Sequence, residues 1–571
     1  MQKPIIQFNN FSFKYKSQVE PTLQQINLTI YEGEKIVIVG PSGSGKSTLA
    51  HCLNGLVPFS YKGDIEGNVK INGQETKDLD IFSLSKMVGT VLQDPDGQFI
   101  GLSVGEDIAF ALENEAVPQK NMRSQVVDVA KLVNMETKIK SSIHELSGGQ
   151  KQRVSLAGVI VEDVDILLFD EPLANLDPAT GKHAISLIDQ IQKETNTTVV
   201  IIEHRLEDVL TQEFDRIIVV DDGRIVSDMN PHALLASHVL ESCNLREPLY
   251  VKALKYAGCE VTPEMLPARM ETLKIADVQE RLFTWNEKVS PAKYEKKDKS
   301  ILELQHIQFG YHKDSPTIDN VSFTVHKGEM VSIVGKNGAG KSTLSKLICG
   351  FEKIQSGKVL YKGRDITNDT IYERANRIGM VMQNPNHMIS KHMIYEEVAL
   401  GLVMRGVPED EIKERVEQTL KTCGLYPFRN WPISALSFGQ KKRVTIASIL
   451  VLQPEVLILD EPTAGQDLRH YTEIMEFLTH LNHSHGVTIM MITHDMHLML
   501  EYTPRAIAIL DGQVIADDTA VHILTNPSVV EKTNLKVTSL FELAVKAGIR
   551  HPVDFVSKFI DYDREARLTW R

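Results

Sequence analysis

The 571-residue chain contains two long copies of one sequence pattern, and this repeat constrains its fold more than any other feature. Six residues of the first half recur 290 positions later as the same residue type. These pairs are Gly73 and Gly363, Gln93 and Gln383, Ser147 and Ser437, Glu171 and Glu461, His204 and His494, and Gly258 and Gly548. Solenoid proteins repeat every roughly 20–50 residues, so this much longer period predicts a duplicated domain.

Each half carries the motif Gly-x4-Gly-Lys-Ser between a continuous apolar run and a predicted helix. Such glycines allow backbone N–H groups to point at an anion, and the helix N-terminus adds partial positive charge. The motif predicts a phosphate-binding loop, in which Lys46 reaches β- and γ-phosphates and the Ser47 hydroxyl holds Mg²⁺. The predicted phosphate-binding residues are Gly40, Pro41, Ser42, Gly43, Ser44, Gly45, Lys46, Ser47 and Thr48, and Gly335, Lys336, Asn337, Gly338, Ala339, Gly340, Lys341, Ser342 and Thr343.

Composition narrows the class of protein. A net charge of −13 argues against a surface that binds nucleic acid. We expect no membrane-spanning segment, because no apolar run is long enough to cross a bilayer, and no signal peptide, because no such pattern opens the chain. The five cysteines show no Cys-x-x-Cys pairing, so we expect them to be reduced.

The pattern of apolar residues predicts an α/β fold. Continuous apolar runs indicate central parallel strands, and alternating residues indicate antiparallel strands at the start of each half. The runs are residues 166–170, 199–202, 456–460 and 489–492, and the alternating segments are residues 6–13 and 302–309. Residues 95–160 and 385–450 have helical spacing, which predicts an inserted helical subdomain in each half.

A polar and charged stretch, residues 286–300, marks the expected linker between the halves. We therefore predict a first domain over residues 1–285 and a second over residues 301–571, each ending in a helical extension. Amphipathic patterns at residues 248–258 and 539–548 are expected to pack within these extensions, with a subunit contact as the alternative.

An acidic pair follows a buried strand in each half. Asp170 and Glu171 stand before Pro172, so both carboxylates are expected at the carboxyl edge of the sheet, where the phosphate loop also lies. Asp170 is suited to the Mg²⁺ shell and Glu171 to polarising an attacking water. Asp460 and Glu461 repeat the arrangement.

Residues 146–150, Leu-Ser-Gly-Gly-Gln, and residues 436–440, Leu-Ser-Phe-Gly-Gln, each precede a basic cluster at a predicted helix start. Here the chain resembles the ATP-binding cassette (ABC) family, in which this pentapeptide is the signature motif. The resemblance covers residues 5–230 and 302–520 and implies ATP and Mg²⁺ as cofactors. It gives the fold class as two tandem P-loop NTPase (ABC) domains, each a mainly parallel sheet with an antiparallel edge subdomain and an inserted helical subdomain.

The resemblance implies further roles, each with one residue per half. Tyr15 and Tyr311 match the aromatic ring that stacks on adenine, and Gln93 and Gln383 match the glutamine that senses Mg²⁺ and links the site to a membrane partner. His204 and His494 match the histidine that contacts the γ-phosphate, and Asp177 and Asp467 match the aspartate that communicates between cassettes. The chain departs from the family pattern at Phe438, where glycine is commoner, and at Gln466, where leucine is commoner.

Family members pair their cassettes head to tail, so that each ATP lies between one P-loop and the opposite signature motif. The resemblance therefore implies two competent sites, because both catalytic glutamates are present. One combines Lys46, Glu171 and His204 with Ser437, Gly439 and Gln440, and the other combines Lys341, Glu461 and His494 with Ser147, Gly149 and Gln150.

Residues 92–99 and 104–110 resemble the ATPases of energy-coupling factor transporters, which import vitamins, vitamin precursors such as hydroxymethylpyrimidine or thiamine, or metal ions such as cobalt. This resemblance implies a peripheral protein on the cytoplasmic face of the cell membrane, in contact with the membrane only through partners. Those partners are an integral-membrane coupling subunit and a substrate-binding membrane subunit, without nucleic acid. The alternatives are a translation-factor type tandem ATPase, which carries an Asn-His pair and a basic linker not present here, and an exporter ATPase.

Overall fold

The computed structural model describes residues 3–174, 176–290, 298–312 and 315–569. The chain divides into two compact units, Met1–Trp285 with Gly465–Leu468, and Asn286–Ala464 with Arg469–Arg571. Residues 291–297 of the predicted linker lie outside the described residues, as does Asn175.

The first unit contains two sheets. Its strands are β1 (Pro4–Tyr15), β2 (Leu23–Tyr31), β3 (Lys35–Val39), β4 (Gly63–Ile71), β5 (Gln74–Glu75), β6 (Val88–Val91), β7 (Ile166–Asp170), β8 (Thr198–Ile202), β9 (Arg216–Asp221) and β10 (Arg224–Met229). The small antiparallel sheet has the order β2-β1-β4-β5, and the main sheet has the order β10-β9-β3-β8-β7-β6. In the main sheet β9, β3, β8, β7 and β6 are parallel, and β10 is antiparallel.

Helices cover the main sheet of the first unit and form its insertion. They are α1 (Lys46–Leu53), α2 (Leu56–Phe59), α3 (Ile81–Ser85), α4 (Val104–Asn114), α5 (Gln119–Leu132), α6 (Gly148–Ile160), α7 (Pro178–Thr195), α8 (Leu206–Val209), α9 (Pro231–Ala236), α10 (Val239–Ser242), α11 (Leu249–Tyr256) and α12 (Gln279–Lys288). Helix α12 ends at Lys288, inside the polar stretch predicted as linker, because charged residues also suit the exposed turns of a helix.

The second unit repeats this plan. Its strands are β11 (Ser300–Phe309), β12 (Ile318–His326), β13 (Met330–Val334), β14 (Ser356–Tyr361), β15 (Arg364–Asp365), β16 (Ile378–Val381), β17 (Val456–Asp460), β18 (Thr488–Ile492), β19 (Arg505–Leu510) and β20 (Gln513–Thr519). Its helices are α13 (Lys341–Cys349), α14 (Ile371–Arg374), α15 (Ile394–Val403), α16 (Glu409–Thr422), α17 (Phe438–Leu450), α18 (Leu468–His485), α19 (Met496–Tyr502), α20 (Ala520–Thr525), α21 (Pro527–Lys532), α22 (Ser539–Ala547) and α23 (Pro552–Thr569).

Its sheets have the orders β12-β11-β14-β15 and β16-β17-β18-β13-β19-β20, the same as in the first unit. The predicted fold class is therefore confirmed in both halves. The central strands β3 and β13 are buried along their whole length, which explains their continuous apolar sequences. Helices α4–α6 and α15–α17 occupy the two segments predicted as helical insertions.

Each unit ends in a helical extension. In the second unit Phe555 and Phe559 of α23 are fully buried, and α22 is followed by Gly548, whose φ is +74°. In the first unit the Tyr250 hydroxyl of α11 donates to the Pro267 carbonyl at 2.7 Å. Among the described residues, no helix combines the length and the apolar character needed to cross a membrane.

Candidate active site

Both predicted phosphate loops connect a central strand to a helix, as the motif predicts. The loop of the first unit joins β3 to α1, and that of the second joins β13 to α13. The last glycine of each, Gly45 and Gly340, has a φ of +102° and +100°, a conformation that other residues rarely adopt. A Cβ atom on Gly45 would lie 2.9 Å from the Thr22 carbonyl oxygen, so this position requires glycine.

The lysine of each loop folds back over the loop and is buried. Lys46 Nζ donates to the carbonyls of Gly40 and Pro41 at 2.8 and 2.7 Å. Lys341 Nζ does the same to Gly335 and Lys336 at 2.7 and 2.9 Å. Burial lowers the pKa of Lys46 to about 8, against the opposing field of Glu171. An anion that entered the loop would be drawn to this desolvated charge.

The acidic pairs end strands β7 and β17, where the sequence predicts them. Glu171 has a φ of +49°, and its backbone N–H donates to the Ile202 carbonyl of β8 at 2.9 Å. Glu461 has a φ of +46°, and its backbone N–H donates to the Ile492 carbonyl of β18 at 2.9 Å. Both predicted catalytic glutamates are therefore held in the left-handed region, where strain is typical of functional positions.

In the first unit the structure brings three predicted residues into one chain of contacts. Gln93 Nε2 donates to Glu171 Oε2 at 2.8 Å, and His204 Nε2 lies 2.8 Å from Glu171 Oε1. In the second unit His494 Nδ1 lies 2.8 Å from Glu461 Oε1. The histidines thus approach the glutamates through different ring nitrogens.

The residues proposed for Mg²⁺ fit a divalent cation. Asp170 Oδ1 is buried and has no hydrogen-bond partner in the described structure, which leaves a lone carboxylate oxygen for a cation. Burial, with Glu171 adding to it, raises the pKa of Asp170 to about 6. Burial also raises the pKa of Asp460, while a hydrogen bond with Ser342 opposes the shift.

No group of three or more His, Cys, Asp or Glu side chains forms a metal site among the described residues. This is compatible with Mg²⁺, which keeps waters and uses one or two carboxylates together with substrate phosphates.

The signature residues begin helices α6 and α17. Ser147 caps α6 by accepting from the Gln150 backbone N–H, and the Gln150 side chain returns to Ser147 in a capping box. Ser437 and Gln440 form the same box at α17. Each signature motif therefore lies at the N-terminus of a 13-residue helix, where partial positive charge favours anions.

Three further predicted pairs take these positions. Asp177 is buried and accepts from the Thr180 backbone N–H at 2.9 Å, which caps α7, while Asp467 is buried just before α18. Tyr15 ends β1, and its hydroxyl lies 3.0 Å from the Thr48 hydroxyl. Tyr311 follows β11 and is exposed. Gln383 follows β16, as Gln93 follows β6.

One residue near the site escaped sequence reasoning. Glu203 precedes His204 and is fully buried, and burial raises its pKa. Its carboxylate accepts backbone N–H groups of Leu173, His204 and Arg205 at 3.1, 2.9 and 3.3 Å. It therefore ties the loop after Glu171 to the loop of His204. A comparison of the two halves would have drawn attention to this position, because the second half has Thr493 where the first half has Glu203.

The signature helices are also anchored differently in the two units. Gln152 of α6 donates its side-chain N–H to the Pro172 carbonyl, directly after Glu171. Lys442 of α17 instead donates to the carbonyls of Met382 and Gln383 at 2.8 and 2.7 Å. Burial lowers the pKa of Lys442 to about 8.

A parallel sheet with a phosphate loop, a strand-end carboxylate pair and a histidine, present in both units, defines a P-loop nucleoside-triphosphate-hydrolysing protein. The profile of a family described as "ABC transporter" matches residues 23–174 and 318–464. The profile of a family described as "ATP-binding cassette cobalt transporter" matches residues 237–309. The chain belongs to the ABC transporter ATP-binding proteins and is an ATPase with two cassettes.

Close relatives cover the whole chain. An ABC transporter ATP-binding protein of Clostridium perfringens is 59% identical over 566 residues, which are 99% of this chain and 100% of the relative. One of Enterococcus faecalis is 58% identical over 570 residues and covers 100% of both chains. A solved structure of cbiO1 from Clostridium perfringens, described as part of the ABC transporter complex cbiONQ, is 35% identical with a TM-score of 0.38; it covers 42% of this chain and 95% of its own.

These findings confirm the predicted family, its ATPase activity and the two-cassette fold. The match to the cobalt-transporter family agrees with the predicted resemblance to energy-coupling factor ATPases. The roles of the individual site residues stay predictions.

Proposed function

We propose that this chain is the energy-coupling ATPase of a membrane importer for a vitamin, a vitamin precursor or a metal ion. One observation carries the proposal. Gln93 contacts the predicted catalytic carboxylate of Glu171 at 2.8 Å, and the same loop exposes Ile100 and Leu102, with 63% and 79% of their surfaces accessible. Exposed apolar side chains that cluster on a surface are typical of partner contacts. A partner on this loop would be mechanically linked to the catalytic glutamate.

The chemistry follows from the positions of the side chains. Glu171 is proposed to accept a proton from the attacking water, and His204 to hold the γ-phosphate in line with it. Lys46 would balance charge on the β- and γ-phosphates. Mg²⁺, held by Asp170 and Ser47 when bound, would supply further neutralisation of phosphate charge.

The partners and location follow from the same proposal. In this scheme an integral-membrane coupling subunit covers the exposed apolar loop, and a separate membrane subunit binds the solute. The second unit also exposes apolar side chains of its insertion, Val403 and Met404. The family description that names cobalt supports a metal ion or a vitamin-like solute. The chain would lie on the cytoplasmic face of the membrane, attached through its partners.

The test is co-purification of the full chain with membrane subunits from its native host, followed by ATPase assays in lipid. We expect the subunits to stimulate hydrolysis and a double variant, Ile100→Ser with Leu102→Ser, to lose this stimulation while it keeps its basal rate. Val19→Ser is the matched control, because Val19 is 94% exposed and lies in the loop between β1 and β2. Co-sedimentation with ribosomes in place of membrane subunits would contradict the proposal.

A further inference from the structure

A cavity of about 310 Å³ opens in the second unit, away from its phosphate loop. Lys327, Glu455 and Val487 line it, and they precede strands β13, β17 and β18. The cavity therefore lies at the amino edge of the parallel sheet, whereas the phosphate loop follows the carboxyl end of β13. Its remaining wall includes helix α16 of the insertion. The volume falls at the lower end of the range of about 300–1,000 Å³ that small-molecule sites occupy.

A lysine, an arginine and a histidine line this cavity: Lys327, Arg415 and His485. Arg415 is held in place, because its Nη2 donates to the Val451 carbonyl at 2.7 Å and its Nη1 to Glu411 at 3.1 Å. Its Nε is buried and has no hydrogen-bond partner in the described part of the chain. A fixed guanidinium with a remaining donor is the group that best recognises phosphate oxygens.

Neutral donors complete the lining, and its carboxylate is already engaged. Gln418, Thr419 and Gln453 contribute amide and hydroxyl groups. Glu455 accepts from the Tyr361 hydroxyl and from Lys362 Nζ, both at 2.6 Å. Lys327 Nζ lies 3.9 Å from the other oxygen of Glu455. Glu411 pairs with Arg415 and Glu455 pairs with Lys362, so Lys327 leaves one positive charge in excess for an entering anion.

The repeat shows that the fold does not require these cations. The first unit has the same topology and carries acidic or neutral residues at the equivalent positions. Lys327, Arg415, Gln418, Thr419 and Gln453 correspond to Glu32, Gln125, Asp128, Val129 and Asp163, with an offset of 295 for the first and 290 for the others. One scaffold therefore carries opposite charge in the two units, and the positive set points to a ligand.

We propose that this cavity binds a small phosphate-bearing anion, either inorganic phosphate or a short phosphomonoester. Such an anion would bridge Arg415 of the inserted helices and Lys327 of the sheet edge. It would contact the insertion and the core of the second unit together, at a site separate from the nucleotide.

The test uses monofluorophosphate as a ¹⁹F NMR probe on the full chain. The ATP analogue AMP-PNP and Mg²⁺ are added in excess, so that the probe does not enter the phosphate loops. We expect saturable broadening of the ¹⁹F signal, and at least a roughly tenfold weaker affinity in both Arg415→Gln and Lys327→Glu. Each substitution introduces the residue that the first unit has at that position, so the fold is expected to accommodate both. Lys413→Gln is the matched control, since Lys413 is exposed on the same helix and does not line the cavity.

Competition distinguishes the two sources of the anion. Displacement of the probe by inorganic phosphate but not by glycerol 3-phosphate identifies phosphate, and stronger displacement by glycerol 3-phosphate identifies a phosphomonoester; either result supports the site. Absence of saturable binding overturns the proposal. The proposal is also overturned if Arg415→Gln and Lys327→Glu leave the binding unchanged, or if Lys413→Gln weakens the binding equally.

Discussion

At the scale of single residues, Glu203 has the contacts expected of a positioning residue. Its carboxylate accepts three backbone N–H groups, from the loop after Glu171 and from the loop of His204. A buried N–H without an acceptor costs roughly 1–3 kcal/mol, so these loops are expected to shift when the carboxylate is removed. The 2.8 Å contact between Glu171 and His204 depends on both loops.

We therefore expect Glu203→Leu to lower kcat at the first site roughly tenfold or more, with little change in KM, because alignment is lost and not nucleotide affinity. Glu203→Gln keeps one acceptor oxygen, so its kcat should lie between that of Glu203→Leu and that of the unchanged protein. The measurement is steady-state hydrolysis in a Glu461→Gln background, which silences the second site. Glu136→Leu, at an exposed position of the insertion, is the control. Equal rates for Glu203→Leu and Glu136→Leu would show that Glu203 has no positioning role.

Asp170 is expected to make the requirement for Mg²⁺ depend on pH. Burial raises its pKa from the ordinary 3.8 to about 6, so between these values the folded protein holds a proton that the unfolded chain lacks. The stability that this proton confers is present below about pH 4 and is lost as pH rises through about 6. Cation binding needs the ionised carboxylate, which would be only about a tenth of the total at pH 5.

The half-saturating concentration of free Mg²⁺ should therefore rise as pH falls from 7 to 5. Hydrolysis is measured against Mg²⁺ at each pH in the Glu461→Gln background, with correction for protonation of ATP. Asp170→Asn should require more Mg²⁺ at every pH and lose most of the dependence. A constant requirement between pH 5 and 7 in the unchanged Asp170 chain would refute this account.

At the scale of elements, local patterns were enough to predict the strands, the phosphate loops and the signature helix starts. Each depends on spacing within about ten residues: a buried run such as Lys35–Val39, a glycine before a lysine, or a serine three residues before a glutamine. The Leu173 N–H that donates to Glu203 and the Met382 carbonyl that accepts from Lys442 lie 30 and 60 residues away in sequence, so no local pattern encodes these two contacts. Helix α12 extends into the stretch predicted as linker, since a charged stretch suits both a linker and an exposed helix.

Helix α23 provides a prediction at this scale. Phe555 and Phe559 are fully buried, and Arg567 of the same helix pairs with Glu501 at 2.9 Å. Phe559→Ala should reduce the stability of the second unit by about 3–5 kcal/mol, through lost burial and the cavity left behind. Urea unfolding followed by circular dichroism measures this change. Glu565→Ala, at an exposed position of α23, should leave the transition within about 0.5 kcal/mol of its original value. Similar midpoints for both variants would show that α23 does not stabilise the unit.

At the scale of the whole molecule, duplication has conserved the fold and changed the contacts around it. The sheet orders are the same, yet Gln152 reaches Pro172 while Lys442 reaches Met382 and Gln383. The signature helices are thus joined to the core through different side chains, since α6 reaches the loop after β6 through Lys151 and Ser155, which donate to Asp96 and Gln98. Motif matching predicts two competent sites, because it registers residue types and not their hydrogen-bond partners.

The proposed head-to-tail pairing can be tested by a crossed comparison of the two signature serines. In a Glu461→Gln background, where only the Lys46 pocket is active, Ser437→Ala should lower hydrolysis roughly tenfold or more, whereas Ser147→Ala should have little effect. In a Glu171→Gln background the two effects should exchange. Because Ser147 and Ser437 cap their helices in the same way, the loss of about 1 kcal/mol of helix stability is matched and cannot produce the crossing. If each serine affected only the pocket of its own unit, the pairing would be excluded, and each cassette would have to complete its site alone.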